Sequence, residues 1–172
     1  MAAPLLALRD IRTVFADQVL IAGASFALAA GDRLELGLAL APGTRALATT
    51  QTAERVYRAG DGVARVRIRH AVGAGAHLDW LPQETILFEG SALERRLTVE
   101  MAPGATLLAA ESVVFGRAAH GETLRRFHLR DHWRIRRGDR LIHAEAMRLD
   151  GMPTGPATLA GVRAAATMIL AA

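Results

Sequence analysis

Hydrophobic and polar residues alternate one by one along four segments of the chain. In the first segment Leu34, Leu36 and Leu38 occupy every second position, so they share one face of an extended backbone. A period of two is typical of a strand with one buried face and one face in water. The alternation therefore predicts four half-buried strands, which lie within residues 32–40, 64–70, 95–101 and 132–137.

Each alternating segment runs into a glycine turn that is followed by a second apolar segment. The turn glycines are Gly43, Gly75, Gly104 and Gly138, and consecutive ones lie 32, 29 and 34 residues apart. Glycine suits such turns because it adopts a positive φ angle without steric cost. One unit of this kind cannot bury its own apolar face, whereas four stacked units enclose a continuous core. The repeat therefore predicts a mainly β fold of stacked β-rungs, with a solenoid-like or helical-layer-like architecture.

Two segments favour helix within this β-rich body. One covers residues 49–58, with the sequence TTQTAERVYR, and the other covers residues 161–172, which are rich in alanine. Alanine has the highest intrinsic helix propensity of the amino acids. We therefore expect one or two short helices in addition to the strands.

Acidic residues interrupt the apolar segments that follow the turns. The stretch LDWLPQETILFEG, residues 78–90, places Glu84 among large apolar side chains. Glu54, Glu111 and Glu145 recur in the same part of the other units. Burying a carboxylate costs several kcal/mol unless the group is paired, protonated or solvated. These acids therefore need partners or water.

Two interpretations of the acids follow. In the first, they lie at corners of the fold and pair with arginines such as Arg55 and Arg117. In the second, they line an internal hydrated passage, in which water offsets the cost of desolvation. A row of such acids would attract a divalent cation without enclosing it.

A further set of metal-ligand residue types lies in the segment HLRDH, residues 128–132. On a helix, His128 and His132 would share a face, whereas on a strand they lie about 13 Å apart and cannot bind one ion. Asp131 lies between them in the sequence. The flanking alternation favours a strand, so we expect no tight metal site here.

Composition narrows the classes of partner. Cysteine is absent, which excludes disulfides and thiolate metal sites and fits a reducing compartment. All 21 basic residues are arginines, spread along the chain among 17 acids, and the aromatic residues are five Phe, two Trp and one Tyr. Nucleic-acid binding needs a concentrated basic patch and stacking aromatics, so we expect no nucleic-acid partner.

The chain also lacks the usual signs of a membrane span or an enzyme. The uncharged run at the C-terminal end, residues 164–172, is shorter than the ~20 residues that cross a bilayer, and the first ten residues lack a basic leader. No serine lies in a G-x-S-x-G motif, and there is no phosphate loop or H-E-x-x-H motif. We expect a cytoplasmic, non-catalytic protein with no membrane partner and no tightly bound cofactor.

Three segments carry a resemblance to a known family. They are TTQTAERVYR (49–58), LDWLPQETILFEG (78–90) and ESVVFGRAAHGE (111–122). In this order and spacing they resemble the UreD family of urease accessory proteins, also called UreH, from about residue 31 to residue 172. The resemblance implies a mostly β, helical-layered fold with few helices. It also implies a chaperone that takes part in nickel insertion during maturation of the metalloenzyme urease.

The resemblance also implies partners and a cargo. It points to complexes with UreF, with the GTPase UreG and with apo-urease, and to transient Ni²⁺ passing through a water-filled tunnel. Oxygen ligands hold Ni²⁺ more weakly than imidazole does, so a conduit lined by carboxylates can release the ion. The residues that we expect along this path are Glu54, Asp79, Glu84, Glu111 and Glu145.

The chain departs from the family pattern at both ends. Family members are nearly twice as long, and in the first part of the chain only GDRL, residues 31–34, matches well. We therefore expect an atypical N-terminal segment over residues 1–30 and a UreD-like β domain over residues 31–172 that is incomplete relative to the family. An alternative function follows, that of a truncated, β-rich interaction module without nickel-delivery activity.

Overall fold

Strands dominate the part of the chain that the structure describes. The structure is a computed structural model, and it describes residues 27–60, 62–117, 120–155, 157–159 and 161–172. Residues 1–26 lie outside this part, so the predicted boundary at residue 30 stays a prediction. The described residues form twelve strands, β1 (Ala27–Leu28), β2 (Arg33–Leu40), β3 (Arg45–Ala48), β4 (Glu54–Val56), β5 (Ala64–Val72), β6 (His77–Trp80), β7 (Thr85–Leu87), β8 (Ala92–Met101), β9 (Thr106–Phe115), β10 (His128–Arg137), β11 (Arg140–Asp150) and β12 (Ala164–Ala171).

Parallel pairing stacks the repeat units into coils. The first strand of each unit enters one five-stranded sheet with the order β11-β10-β8-β5-β2, which we call the first sheet. In it β2 pairs with β5, β5 with β8 and β8 with β10, all in parallel. The later strands form a seven-stranded second sheet, in which β3, β6 and the start of β9 are parallel neighbours. The predicted fold of stacked β-rungs is therefore confirmed.

Alternation sets which face of each strand is buried. Leu97 and Val99 on β8 are fully buried, as are Leu78 on β6 and Leu107 on β9, whereas their sequence neighbours point outward. The two sheets thus enclose one apolar core. Trp133 on β10 is the largest fully buried side chain of the described residues.

The turn glycines adopt the conformation that the repeat predicts. Gly43, Gly75, Gly104 and Gly138 have φ angles of 71°, 64°, 70° and 55°, in the left-handed region that favours glycine. The turns also stack on one another, because the Gly43 amide donates to the Ala74 carbonyl at 2.8 Å. Each turn therefore ties its coil to the next.

The fourth unit departs from the prediction of four equivalent rungs. Its first strand, β10, stacks in parallel on β8, but β11 then returns antiparallel to β10. The first three turns span residues 41–44, 73–76 and 102–105, whereas only Gly138 and Asp139 separate β10 from β11. A two-residue turn joins antiparallel neighbours and cannot carry the chain across to the second sheet. The described fold is therefore three coils closed by β10, β11 and β12, of which β12 pairs antiparallel with β9.

The predicted helices at residues 49–58 and 161–172 are wrong. Residues 54–56 form β4, which pairs in parallel with β7, and residues 164–171 form β12. Helix propensity amounts to a few tenths of a kcal/mol per residue, and pairing with an existing sheet overrides it. No helix among the described residues is long and apolar enough to cross a membrane.

Close stacking of the coils makes Gly73, directly after β5, a sensitive position. A Cβ atom there would lie 2.6 Å from the Leu40 carbonyl oxygen and 2.8 Å from the backbone nitrogen of Pro42. We expect Gly73→Ala to lower the free energy of unfolding by about 1–3 kcal/mol, since backbone atoms must shift. Urea denaturation measures this loss.

Gly60→Ala is the matched control for Gly73→Ala. A Cβ atom at Gly60 would meet no heavy atom within 4 Å from the described residues beyond its chain neighbours, and the substitution reduces the entropy of the unfolded chain. Its stability should therefore equal or slightly exceed that of the wild type. Equal stabilities of the two variants would show that a Cβ atom at position 73 does not clash with the neighbouring coil.

Candidate functional site

A small cavity lies between the two sheets, at a corner where successive coils differ in length. Residues 49–53 turn this corner in the first coil and residues 81–84 in the second, whereas residues 110–112 continue straight along β9 in the third. The cavity measures about 30 Å³, which is room for one or two water molecules. Gln83 is exposed, so this corner connects the cavity to solvent. The lining residues are Leu34, Leu36, Thr50, Glu54, Val66, Ile68, Trp80, Pro82, Gln83, Thr85, Arg95 and Glu111.

A buried arginine organises the polar side of this cavity. Arg95 extends from β8, and its side chain is only 5% exposed. Its Nε atom lies 3.1 Å from Glu111 Oε2, and its Nη2 atom contacts Asp131 Oδ2. Its Nη1 atom donates a hydrogen bond of 3.1 Å to Thr85 Oγ1. Arg95 therefore links β9, β10 and β7 through charged and polar contacts inside the core.

The two glutamates of the cavity have further neutral partners. The Trp80 indole donates to Glu111 Oε1 at 2.8 Å, and the Thr85 hydroxyl donates to Glu54 Oε2 at 3.2 Å. Glu54 has no direct contact with the guanidinium among the described interactions. We call Glu54, Arg95, Glu111 and Asp131 the buried charge cluster. It holds three carboxyl groups against one guanidinium.

The pKa values in the cluster reflect burial and the excess of carboxyl groups over guanidinium groups. Burial raises the pKa of both Glu54 and Glu111, and the nearby charge of Arg95 offsets only part of that rise. Burial by itself would lower the pKa of Arg95, but the charges of Glu111 and Asp131 outweigh it and raise the pKa. The cluster can therefore accept protons or an additional cation.

The cluster is not a preformed metal cage. Among the described residues no group of three or more His, Asp or Glu side chains is arranged to hold a metal ion. Glu111 and Asp131 both contact the Arg95 guanidinium, which neutralises part of their charge. Any cation at the cavity would be held loosely, by a few carboxylate oxygens and water.

Comparison with known proteins identifies the family. A family model described as UreD urease accessory protein matches residues 3–172. The chain belongs to the UreD family. It is 53% identical over 157 residues to the urease accessory protein UreD of Cereibacter sphaeroides, which covers 89% of this chain and 57% of the relative. It is 49% identical over 149 residues to UreD of Paracoccus denitrificans, covering 84% and 53% respectively.

The UreD relatives are considerably longer than this chain. The match to UreD of Chelativorans is 46% identical over 155 residues and covers 88% of this chain but 56% of the relative. The chain thus spans about half the length of the curated relatives it matches. The resemblance inferred from the three sequence segments is confirmed at the level of the family.

The five acids predicted along a nickel path lie in different places in this UreD-family fold. Glu54 and Glu111 border the cavity. Glu84 lies half-buried at the corner between β6 and β7 and does not line it. Asp79 accepts from His77 Nε2 at 3.0 Å on the outer face of β6, and Glu145 accepts from the Thr167 hydroxyl at 3.0 Å. The structure therefore brings together two of the five, and a role of all five in a nickel path stays a prediction.

The arginines predicted to pair with these acids are not their partners. Arg117 pairs with Glu122 at 3.0 Å, and Arg55 points outward from β4. The arginine that pairs with Glu111 is Arg95, because its position on β8 faces the core. Glu111 is thus paired with an arginine, and both Glu54 and Glu111 border space for water, which combines the two interpretations of the sequence.

The HLRDH segment forms part of strand β10, as the alternation predicts. Asp131 points into the core, whereas His128 and His132 point to the opposite face. His128 Nδ1 lies 2.5 Å from Asp150 Oδ1 on β11. The strand therefore separates Asp131 from the two histidines, and the three side chains do not converge on one point.

Sequence reasoning missed Arg95 and Asp131 as members of the site. Both lie on the apolar face of their strands, Arg95 between Leu93 and Leu97 and Asp131 between Leu129 and Trp133. Extending the alternation by one step in each strand would have placed both charges in the core. The sequence signal that could have revealed the site was a pair of opposite charges, Arg95 and Asp131, at inward positions of successive repeats.

Proposed function

We propose that this chain acts in urease maturation as a non-catalytic chaperone that helps to deliver Ni²⁺ to apo-urease. In this proposal it works in the cytoplasm, in a complex with UreF and UreG. Family membership supports the role in urease maturation. The observation that carries the nickel role is the pair Glu54 and Glu111, two carboxyl groups of raised pKa beside a cavity that reaches solvent.

The chemistry of the cluster suits a transient cargo. Ni²⁺ competes with protons for carboxylate oxygens, and groups of raised pKa release a proton when the ion arrives. Carboxylate and water ligands bind Ni²⁺ more weakly than imidazole, so the ion leaves again. The positive charge of Arg95 further limits affinity. The cluster is therefore suited to binding Ni²⁺ briefly and releasing it, and not to holding the ion tightly.

Glu54→Gln is the sharpest test, because Glu54 borders the cavity without contacting Arg95 directly. We expect the variant to lower nickel-dependent urease activation by about tenfold, the lower end of losses seen when a residue near a metal is changed. The assay reconstitutes the chain with UreF, UreG, apo-urease and Ni²⁺, and it measures urease activity. Size-exclusion chromatography should show unchanged complex assembly.

Two control variants show where the path runs. Asp139→Asn changes an exposed carboxylate in the turn between β10 and β11 and should leave activation unchanged. Glu84→Gln should have little effect if the path follows the cavity. Normal activation by Glu54→Gln would refute the role of the cavity, and a wild-type chain that is folded but forms no complex would refute the proposed partners.

A second candidate function is a β-rich interaction module without nickel-delivery activity. The exposed apolar side chains of β12 favour it, since Met168 is 71% exposed and Leu170 is 73% exposed. Such side chains on a terminal strand promote association with other surfaces. This candidate predicts a folded chain that binds partners but never supports urease activation, whatever the nickel concentration.

A further inference from the structure

The outer face of the first sheet concentrates positive charge. Residues on the four parallel strands lie in register, so arginines about 30 positions apart in sequence become neighbours. Nine arginines and four carboxylates project from this face, an excess of five charges, whereas the whole chain carries a formal net charge of +4. We call this surface the arginine face. Its charged residues are Arg33, Glu35, Arg65, Arg67, Arg69, Glu94, Arg96, Glu100, Arg130, Arg134, Arg136, Arg148 and Asp150.

Like charges meet at the centre of the arginine face. Arg67 on β5 lies directly opposite Arg96 on β8. Cross-strand neighbours of like charge destabilise a sheet. Glu35 offsets part of this repulsion, with an oxygen 3.2 Å from Arg67 Nη1. Arg96 has no ion pair or side-chain hydrogen bond within the described part of the chain.

A polar groove of about 300 Å³ runs over this centre. Arg65, Arg67, Arg96 and Arg130 line it, together with Glu94 and His132. Glu94 bridges Arg65 at 3.1 Å and Arg130 at 3.5 Å, so one carboxylate serves two guanidinium groups. Guanidinium donors therefore remain available for an external anion.

The size and composition of the face favour a protein as the partner. Five neighbouring strands at a spacing of about 4.8 Å and with a length of about 25 Å cover roughly 500 Å², a large part of one side of a typical interface. No Phe, Tyr or Trp side chain lies at the outward positions of β2, β5, β8 and β10, so the large rings on which bases usually stack are absent from these strands. Carboxylates interleaved with the arginines also interrupt a continuous track for phosphates.

We propose that the arginine face binds an acidic surface of a protein partner, with Arg67 and Arg96 at the centre of the contact. Arginine is enriched in interfaces because its planar group binds carboxylates in a bidentate manner. The unpaired charge that costs stability in the isolated chain is then neutralised in the complex. This inference does not depend on the nickel path, which concerns the opposite, buried face of the same strands.

The test measures binding of a fluorescently labelled glutamate homopeptide by anisotropy, at an ionic strength of about 0.05 M to limit screening. We expect the double variant Arg67→Glu/Arg96→Glu to weaken binding at least about tenfold, because both central contacts become repulsive. The matched control is Arg45→Glu/Arg55→Glu. It makes the same charge change on two exposed arginines of the second sheet and should shift affinity less than about twofold.

Three outcomes would overturn the proposal. Equal losses in the two double variants would mean that only net charge matters. No binding of the peptide by the folded wild type would mean that the face does not recognise carboxylates. Tighter binding of a DNA duplex than of the peptide, with the same dependence on Arg67 and Arg96, would assign the face to nucleic acid. Circular dichroism of all variants confirms that each is folded.

Discussion

Replacing Arg95 with methionine is expected to destabilise the protein more than any exposed substitution. The change leaves Glu111 and Asp131 buried without their shared cation. Removing one partner of a buried ion pair typically costs about 3–5 kcal/mol, a large part of the stability of a domain of this size. Thermal or urea unfolding followed by tryptophan fluorescence measures the loss, since Trp80 and Trp133 are both buried.

The expected loss for Arg95→Met depends on pH in a known direction. Burial raises the pKa of Glu54 and Glu111, and the nearby charge of Arg95 offsets part of that rise, so without Arg95 their pKa values in the folded state lie further above those of the unfolded chain. Groups with a raised folded pKa destabilise the fold as pH rises through that range. The deficit of the variant should therefore be largest at neutral pH and shrink towards acid pH.

Arg96→Met is the matched control for Arg95→Met. The two arginines are adjacent on β8, but Arg96 faces solvent. Surface substitutions of this kind usually change stability by less than about 0.5 kcal/mol. Equal effects of the two variants would mean that the buried charge cluster does not depend on Arg95.

Acid should destabilise the protein through His70. This side chain points inward from β5, its ring centroid lies 4.6 Å from that of Trp80, and neither ring nitrogen has a hydrogen-bond partner of ordinary geometry among the described residues. Burial lowers its pKa from 6.5 to about 4. Between these two values the unfolded chain binds a proton that the folded chain does not, so stability falls as pH falls.

The variant His70→Leu isolates this contribution. The free energy of unfolding of the variant minus that of the wild type should grow by about 3 kcal/mol from pH 7 to pH 4, because each tenfold change in a protonation equilibrium corresponds to about 1.4 kcal/mol. His120→Leu, at an exposed histidine, should show no such growth. A constant difference between His70→Leu and the wild type across this range would mean that the buried ring takes up a proton as readily in the folded state as in the unfolded state.

The sequence predicted the fold well where the signals were local. Period-two alternation located β2, β5, β8 and β10, and the spacing of the turn glycines gave the coils. The prediction failed at β12, where alanine-rich sequence suggested helix. Alanine fits either structure, and pairing with β9 decides between them.

The candidate site was only partly predictable. Glu54 and Glu111 were identified because acids stand out in apolar segments, but Asp79 and Glu145 gave the same signal and lie outside the cavity. A one-dimensional pattern shows that a charge interrupts an apolar segment. It does not show which side of the corner the charge faces.

The sequence by itself determined β2, β5, β8 and β10, the turn glycines, the repeat and the family, because these depend on short-range alternation or on motifs in a fixed order. Tertiary structure alone decided which charges meet. Arg95 reaches Glu111 and Asp131, and Arg67 lies beside Arg96, through parallel register between coils. Register depends on the number of residues in every turn and corner between the strands. The contacts that carry both proposals therefore arise only when the coils stack.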